Sequence, residues 1–195
     1  QPFWLEAVGM NYQTVGFLWG SSRFSGDYLL AQSQRKEMIE RVKNDLQIPN
    51  KVFRSETPQG KETWRLKIAR NHPYVLWMLD HGYVGRNEDA QRDIPTGLNA
   101  EERAEFFRGY FSVHHSLDLS KRSSGLYKPR LRFYASETIL LRLTSHLNEE
   151  LGTGVKKPQR HQASEICKIL YYQSPEEIEI IYDYLFGGQS KFEAN

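Results

Sequence analysis

The residues best placed to do chemistry in this 195-residue chain are two adjacent histidines, His114 and His115. Paired imidazoles favour the softer divalent metals, but a zinc site needs at least three protein ligands. No further His, Cys or Asp lies near them at ligand spacing, and His72, His81, His146 and His161 are scattered. The pair therefore reads as polar residues at a helix end, beside backbone. The single cysteine, Cys167, excludes internal disulfides and Cys-based zinc sites. It reads as a buried core thiol in a reducing compartment. There is no phosphate-binding P-loop, no dinucleotide fingerprint after a strand and no nucleophile elbow. No metal and no cofactor are expected.

Charge placement is more informative than the formal net charge of +2. Lys121, Arg122, Lys128, Arg130 and Arg132 form one basic run, and Lys156, Lys157, Arg160 and His161 form another. Acids gather elsewhere, at Glu101, Glu102 and Glu105, at Glu149 and Glu150, and at Glu176, Glu177 and Glu179. Such segregation gives a basic face without an extreme total charge. No run approaches the roughly 18 apolar residues of a membrane-spanning helix, so no membrane partner is expected.

The elements that carry these residues occur twice. His72–Gly85 matches Ser174–Gly187 at an offset of 102, with Pro73 against Pro175 and Gly85 against Gly187. Each reads as a helix, with Pro at its first position and Gly at its end. Gly16–Asp27 matches Glu105–Ser116 at an offset of 89, which pairs Gly20 with Gly109. Glu40–Leu46 matches Ser145–Leu151 at an offset of 105, each ending an amphipathic helix. The changing offset predicts a longer middle in the second copy, by about one strand and turn. Between the helices the pattern has period two. Trp64, Leu66 and Ile68 oppose Arg65 and Lys67, while Leu131 and Phe133 oppose Arg130, Arg132 and Tyr134. Leu117 and Leu119 likewise oppose Ser116, Asp118 and Ser120. Each half reads roughly helix, strand or hairpin, helix, hairpin, helix. The fold class is α+β with antiparallel sheets, in two pseudo-symmetric halves over residues 1–95 and 96–195, and Gly85–Arg103 reads as the linker.

This duplicated order, opened in each half by a glycine-bearing helix, resembles the single-chain LAGLIDADG homing endonucleases from about Asn11 to about Gly188. The resemblance implies that the two motif helices touch at a pseudo-twofold axis, with small residues allowing close approach. Gly20 and Gly109 then sit at that contact, and Gly16, opposite Glu105, makes an asymmetric one. The family binds divalent metal through an acid at each motif helix end. Those positions fall at Ser25 and His114, neither of them a carboxylate, so no catalytic residue is assigned. Asp27 and Asp118 lie nearby and read as surface or sheet-face residues.

The resemblance also implies that the two sheets form a saddle on the DNA major groove. Arg54, Lys61, Arg65 and Lys67 would then contact DNA from the first half. Lys121, Arg122, Lys128, Arg130, Arg132, Lys156, Lys157, Gln159 and Arg160 would do so from the second, more basic half, which is expected to dominate affinity. The expected protein is a monomeric, cytoplasmic or nucleoid-associated, catalytically silent binder of specific double-stranded DNA. It would act as a regulator of transcription or of a phage or mobile element. The alternatives are an endonuclease using Asp27 or Asp118, a maturase-like RNA binder that assists splicing, and a protein-interaction module.

Overall fold

Two runs of elements follow one another in the same order. The computed structural model describes residues 9–85 and 92–187. In the first half, α1 (Tyr12–Ser21) leads into the hairpin of β1 (Ser22–Ser25) and β2 (Tyr28–Ser33). Then come α2 (Lys36–Leu46), a second hairpin of β3 (Phe53–Glu56) and β4 (Glu62–Ala69), and α3 (Pro73–Asp80). The second half repeats this as α4 (Ala100–Phe111), β5 (His115–Lys121), β6 (Tyr127–Ala135), α5 (Glu137–Leu151), β7 (Gln159–His161), β8 (Ser164–Tyr172) and α6 (Pro175–Phe186). The strands form two antiparallel sheets, ordered β1-β2-β4-β3 and β5-β6-β8-β7. This is the α+β, two-halved arrangement expected from the repeat.

Local chemistry sets the boundaries. His72 and Ser174 cap α3 and α6, Pro follows each, and Gly187 ends α6 in the left-handed region at φ 52°. The polar connection is shorter than its composition suggests. Asn99 and Glu102 form a reciprocal capping box that starts α4 at Ala100, and residues 86–91 lie outside the described residues. The extra length of the second half is not an added strand. It lengthens the first hairpin, which spans His115–Ala135 against Ser22–Ser33, and α5, with 15 residues against 11 in α2.

The core runs through both halves. Trp19, Phe17, Phe106, Phe107, Phe111 and Phe133 are buried, with α1 seated against α4. Within α1 every residue from Thr14 to Ser21 is buried, so no polar face is available to hold it at a surface. The seat is close because glycine lies on both sides. A Cβ on Gly16 would stand 2.0 Å from the Phe106 carbonyl oxygen, and one on Gly109 would stand 1.8 Å from that of Gln13. Phe106 precedes Gly109 by three residues and Gln13 precedes Gly16 by three. The contact is therefore reciprocal, and Gly16 is the counterpart of Gly109.

This corrects the sequence alignment by four residues. Gly20 also lies at the contact, but a Cβ there would meet the His114 ring at 2.9 Å and the Tyr110 ring at 3.1 Å, not backbone. The corrected register makes Ser22 the partner of His115, and both open a strand. Ser22 Oγ donates to the Leu18 carbonyl and His115 Nδ1–H donates to the Phe111 carbonyl, the same link in the two halves.

Candidate nucleic-acid interface

The corrected register also moves the helix-end position of the first half from Ser25 to Ser21. Ser25 lies in β1, exposed and paired with Tyr28. Ser21 is buried, and its counterpart His114 donates from Nε2–H to the Gly20 carbonyl at 2.9 Å. The two sites thus offer one hydroxyl and one imidazole already bonded to backbone. Hard divalent cations prefer carboxylate and carbonyl oxygens, so this donor set does not fit such an ion. Asp27 sits in the β1–β2 turn, where its carbonyl accepts from the Arg70 backbone N–H. Asp118 is bound to Arg130 and Arg132. Among the described residues no cluster of three or more His, Cys, Asp or Glu is placed to hold a metal ion.

The sheets each present one face to helices and the other away from them. Residues paired across an antiparallel ladder share a face. In the first sheet Arg65 pairs with Gln32 and Phe53, and Lys67 pairs with Leu30, which also pairs with Arg23. These residues form the outer face, opposite the buried row of Leu29, Ala31, Leu66 and Ile68. The Lys67 ammonium stands 5.3 Å from the Tyr28 ring centre and 5.9 Å from that of Phe53. Among the described residues no acidic side chain forms an ion pair with Arg23, Arg65 or Lys67.

The second sheet places Ser116, Asp118, Ser120, Lys128, Arg130, Arg132, Tyr134, Tyr171 and Gln159 on its outer face. Here the guanidiniums are compensated. Asp118 pairs with Arg130 at 3.0 Å and with Arg132 at 2.6 Å. The hydrogen bond from Arg130, helped by the charges of Arg132 and Arg130, holds the Asp118 carboxyl below its ordinary range against a smaller opposing effect of burial. Beside Arg130 lies a concavity of about 460 Å³ lined by Lys156, Gln159, Tyr171, Gln173 and Ser174.

Several sequence-predicted residues fall elsewhere. Arg54 pairs with Trp64, which puts it on the helix-side face, and it is bound to Glu62 at 2.6 Å. Arg160 pairs with Lys168 and Lys121 with Tyr127, both on the helix-side parity of their sheet. Lys156 is held by Glu177 at 3.0 Å. Lys61 closes the β3–β4 turn, accepting at its carbonyl from the Thr57 N–H. Lys157 is exposed in the α5–β7 loop, and Arg122 reaches Gln173 from the tip of the β5–β6 hairpin. Cys167 is half-buried in β8 and not a core residue, and burial raises its thiol pKa. The sequence reading missed Arg23, Gln32, Tyr28, Phe53, Tyr171 and Gln173. Alternation along β2 and β8, once in register with their partners, is the signal that identifies three of them, Tyr28, Gln32 and Tyr171.

No family model matches the sequence, and no curated protein matches it. Solved structures do. The meganuclease I-SmaMI bound to uncleaveable DNA aligns with a TM-score of 0.59 at 13% identity, over 90% of this chain and 83% of that one. The LAGLIDADG homing endonuclease I-GzeII in complex with its DNA target aligns at 0.54 and 11% identity, over 92% and 84%. Full-length DUF199/WhiA from Thermatoga maritima aligns at 0.57 and 12% identity, over 91% of this chain and 56% of that one. The chain thus spans little more than half the length of WhiA. The chain has the LAGLIDADG-like fold, with its two halves joined through the Gly16–Gly109 seat.

Proposed function

We propose that this chain binds double-stranded DNA sequence-specifically through the outer faces of its two sheets and does not cut it. The observation that carries this reading is a combination. Cations, amides and hydroxyls line both outer faces, while the helix ends carry Ser21 and His114 in place of carboxylates. Arg, Lys, Gln and Ser at a sheet surface suit phosphates and base edges. The comparison structures described as DNA complexes support DNA as the partner. Two-metal hydrolysis needs ligands that hold both ions, and Asp118, one of the two alternative acids, is engaged by two arginines. A monomer acting in regulation of transcription, or of a phage or mobile element, fits a binder that leaves its site intact.

The test is selection of bound duplexes from a random pool with Mg²⁺ present, followed by sequencing and sizing of the recovered DNA. Intact, enriched duplexes whose binding weakens linearly in log salt are expected. Cleaved duplexes would establish the nuclease reading instead. Stronger retention of structured RNA would favour the splicing reading, and binding with no salt dependence the protein-interaction reading.

A further inference from the structure

One row of side chains crosses β5 and β6 on the outer face, and its bonds use only one side of each guanidinium. Arg130 donates from Nε and Nη2 to the two carboxylate oxygens of Asp118, both at 3.0 Å. Arg132 donates from Nε to Ser116 Oγ at 3.0 Å and from Nη2 to Asp118 at 2.6 Å. Ser116 Oγ lies 3.1 Å from Tyr134 Oη, and the Arg132 guanidinium lies 5.8 Å from the Tyr134 ring centre. A guanidinium has five N–H donors. In both residues Nη1, with its two hydrogens, takes no part in these bonds, and neither does the second hydrogen of Nη2. That leaves the end-on fork, the pair of donors that matches two acceptors side by side.

A face built only to attract phosphate would not carry a carboxylate between its two central arginines, because the carboxylate cancels charge. Asp118 contributes something else: it fixes two planes. A free arginine loses rotamer freedom when it binds, and here that freedom is already lost. The three side chains remain 23–36% exposed, so a partner can reach them. Guanine offers O6 and N7 side by side in the major groove, the commonest target of a bidentate arginine. The adjoining concavity brings Gln159 and Gln173, whose amides pair with adenine edges. The outer face of the first sheet has no such clamp: Lys67 stands beside the Tyr28 and Phe53 rings, and Arg23, Arg65 and Lys67 have no ionic partner among the described residues.

We infer that Asp118 is a positioning residue that holds Arg130 and Arg132 as fixed guanine-reading forks. The second half then specifies sequence and the first half supplies salt-sensitive attraction. This rests on the DNA reading above and divides its labour between the sheets.

The experiment is the same random-duplex selection, run with the wild type, Asp118→Asn and Arg130→Lys, together with affinities for a selected and an unrelated duplex. The wild-type site should contain two guanine positions, each preferred on the order of 5- to 100-fold over other bases. Asp118→Asn should lose most of that preference at both positions while binding unrelated duplex more tightly, since a negative charge is gone. Arg130→Lys should lose it at one position only. Asp118→Asn retaining both guanines, or weakening all sequences equally, would overturn the inference and leave DNA binding standing. A wild type that enriches no duplex would overturn the DNA reading and this inference with it.

Discussion

Gly16 and Gly109 exchange places across the pseudo-twofold axis, each occupying the space where a side chain would strike a carbonyl oxygen of the opposite helix. Because the obstacle is backbone, no rotamer change relieves it.

The first prediction follows from that contact. Gly16→Ala and Gly109→Ala should each destabilise the protein by about 1–3 kcal/mol, the usual range for overpacking. For a chain of this size that is roughly 2–12 °C in melting temperature. Gly20→Ala should cost less, since the atoms it meets belong to the His114 and Tyr110 side chains. Thermal unfolding of the three variants checks the ranking, and equal losses at Gly20 and Gly16 would contradict the reciprocal seat.

Salt dependence separates the two faces of the first sheet. Arg65→Ala and Lys67→Ala should each lower the slope of log affinity against log salt by about 1, as expected for one phosphate contact. Arg54→Ala, on the opposite face and held by Glu62, should leave that slope unchanged. Fluorescence-anisotropy titrations at several salt concentrations read this directly. A loss of slope in Arg54→Ala would place the interface on the wrong side of the sheet.

The helix ends predict indifference to divalent ions. With Ser21 and His114 as the donors offered there, adding Mg²⁺ or removing it with EDTA at matched ionic strength should leave the melting temperature of the free protein where it was. A clear rise with Mg²⁺ in differential scanning calorimetry would show a binding site that these side chains do not explain.

Three histidines make stability fall on acidification, among them His72, whose pKa burial lowers against the opposing hydrogen bond to the Leu46 carbonyl. Burial depresses the pKa of His115, with the Phe111 hydrogen bond opposing it and the Arg35 charge adding to it. Burial also depresses that of His146, which is bonded to Tyr184 at 2.9 Å. Unfolded, each titrates near 6.5. Below that pH the unfolded chain takes up protons that the folded chain refuses, so stability is complete above about 6.5 and declines as pH drops toward 5. His146→Gln should flatten the decline. Melting temperatures between pH 5 and 8 test it, and an unchanged slope would assign the decline to other groups.

Much of this was legible in the chain itself. Pro73 and Pro175, with their caps and the closing Gly187, marked equivalent helices, and the alternation around Arg65 and Arg132 marked strands. The register of the opening helices was not. Residues four apart lie on one face of a helix, so the pattern could not tell Gly16 from Gly20; only the depth of contact with α4 does. The helix-side placement of Arg54 and Arg160 was hidden for a similar reason. Cross-strand register is fixed by turn geometry, and a shift of one residue exchanges the faces. The clamp at Asp118 was hidden because its partners lie 12 and 14 residues along the chain and meet it only across the ladder.

The seat between α1 and α4 has a consequence for how the chain reaches this state. It joins glycines 93 positions apart in sequence, and loop closure of that length must precede the contacts that reward it. Until α4 is synthesised, α1 carries Val15, Leu18 and Trp19 with their burial partner missing. The first half leaving the ribosome therefore holds an apolar helix whose partner follows only with Ala100–Phe111.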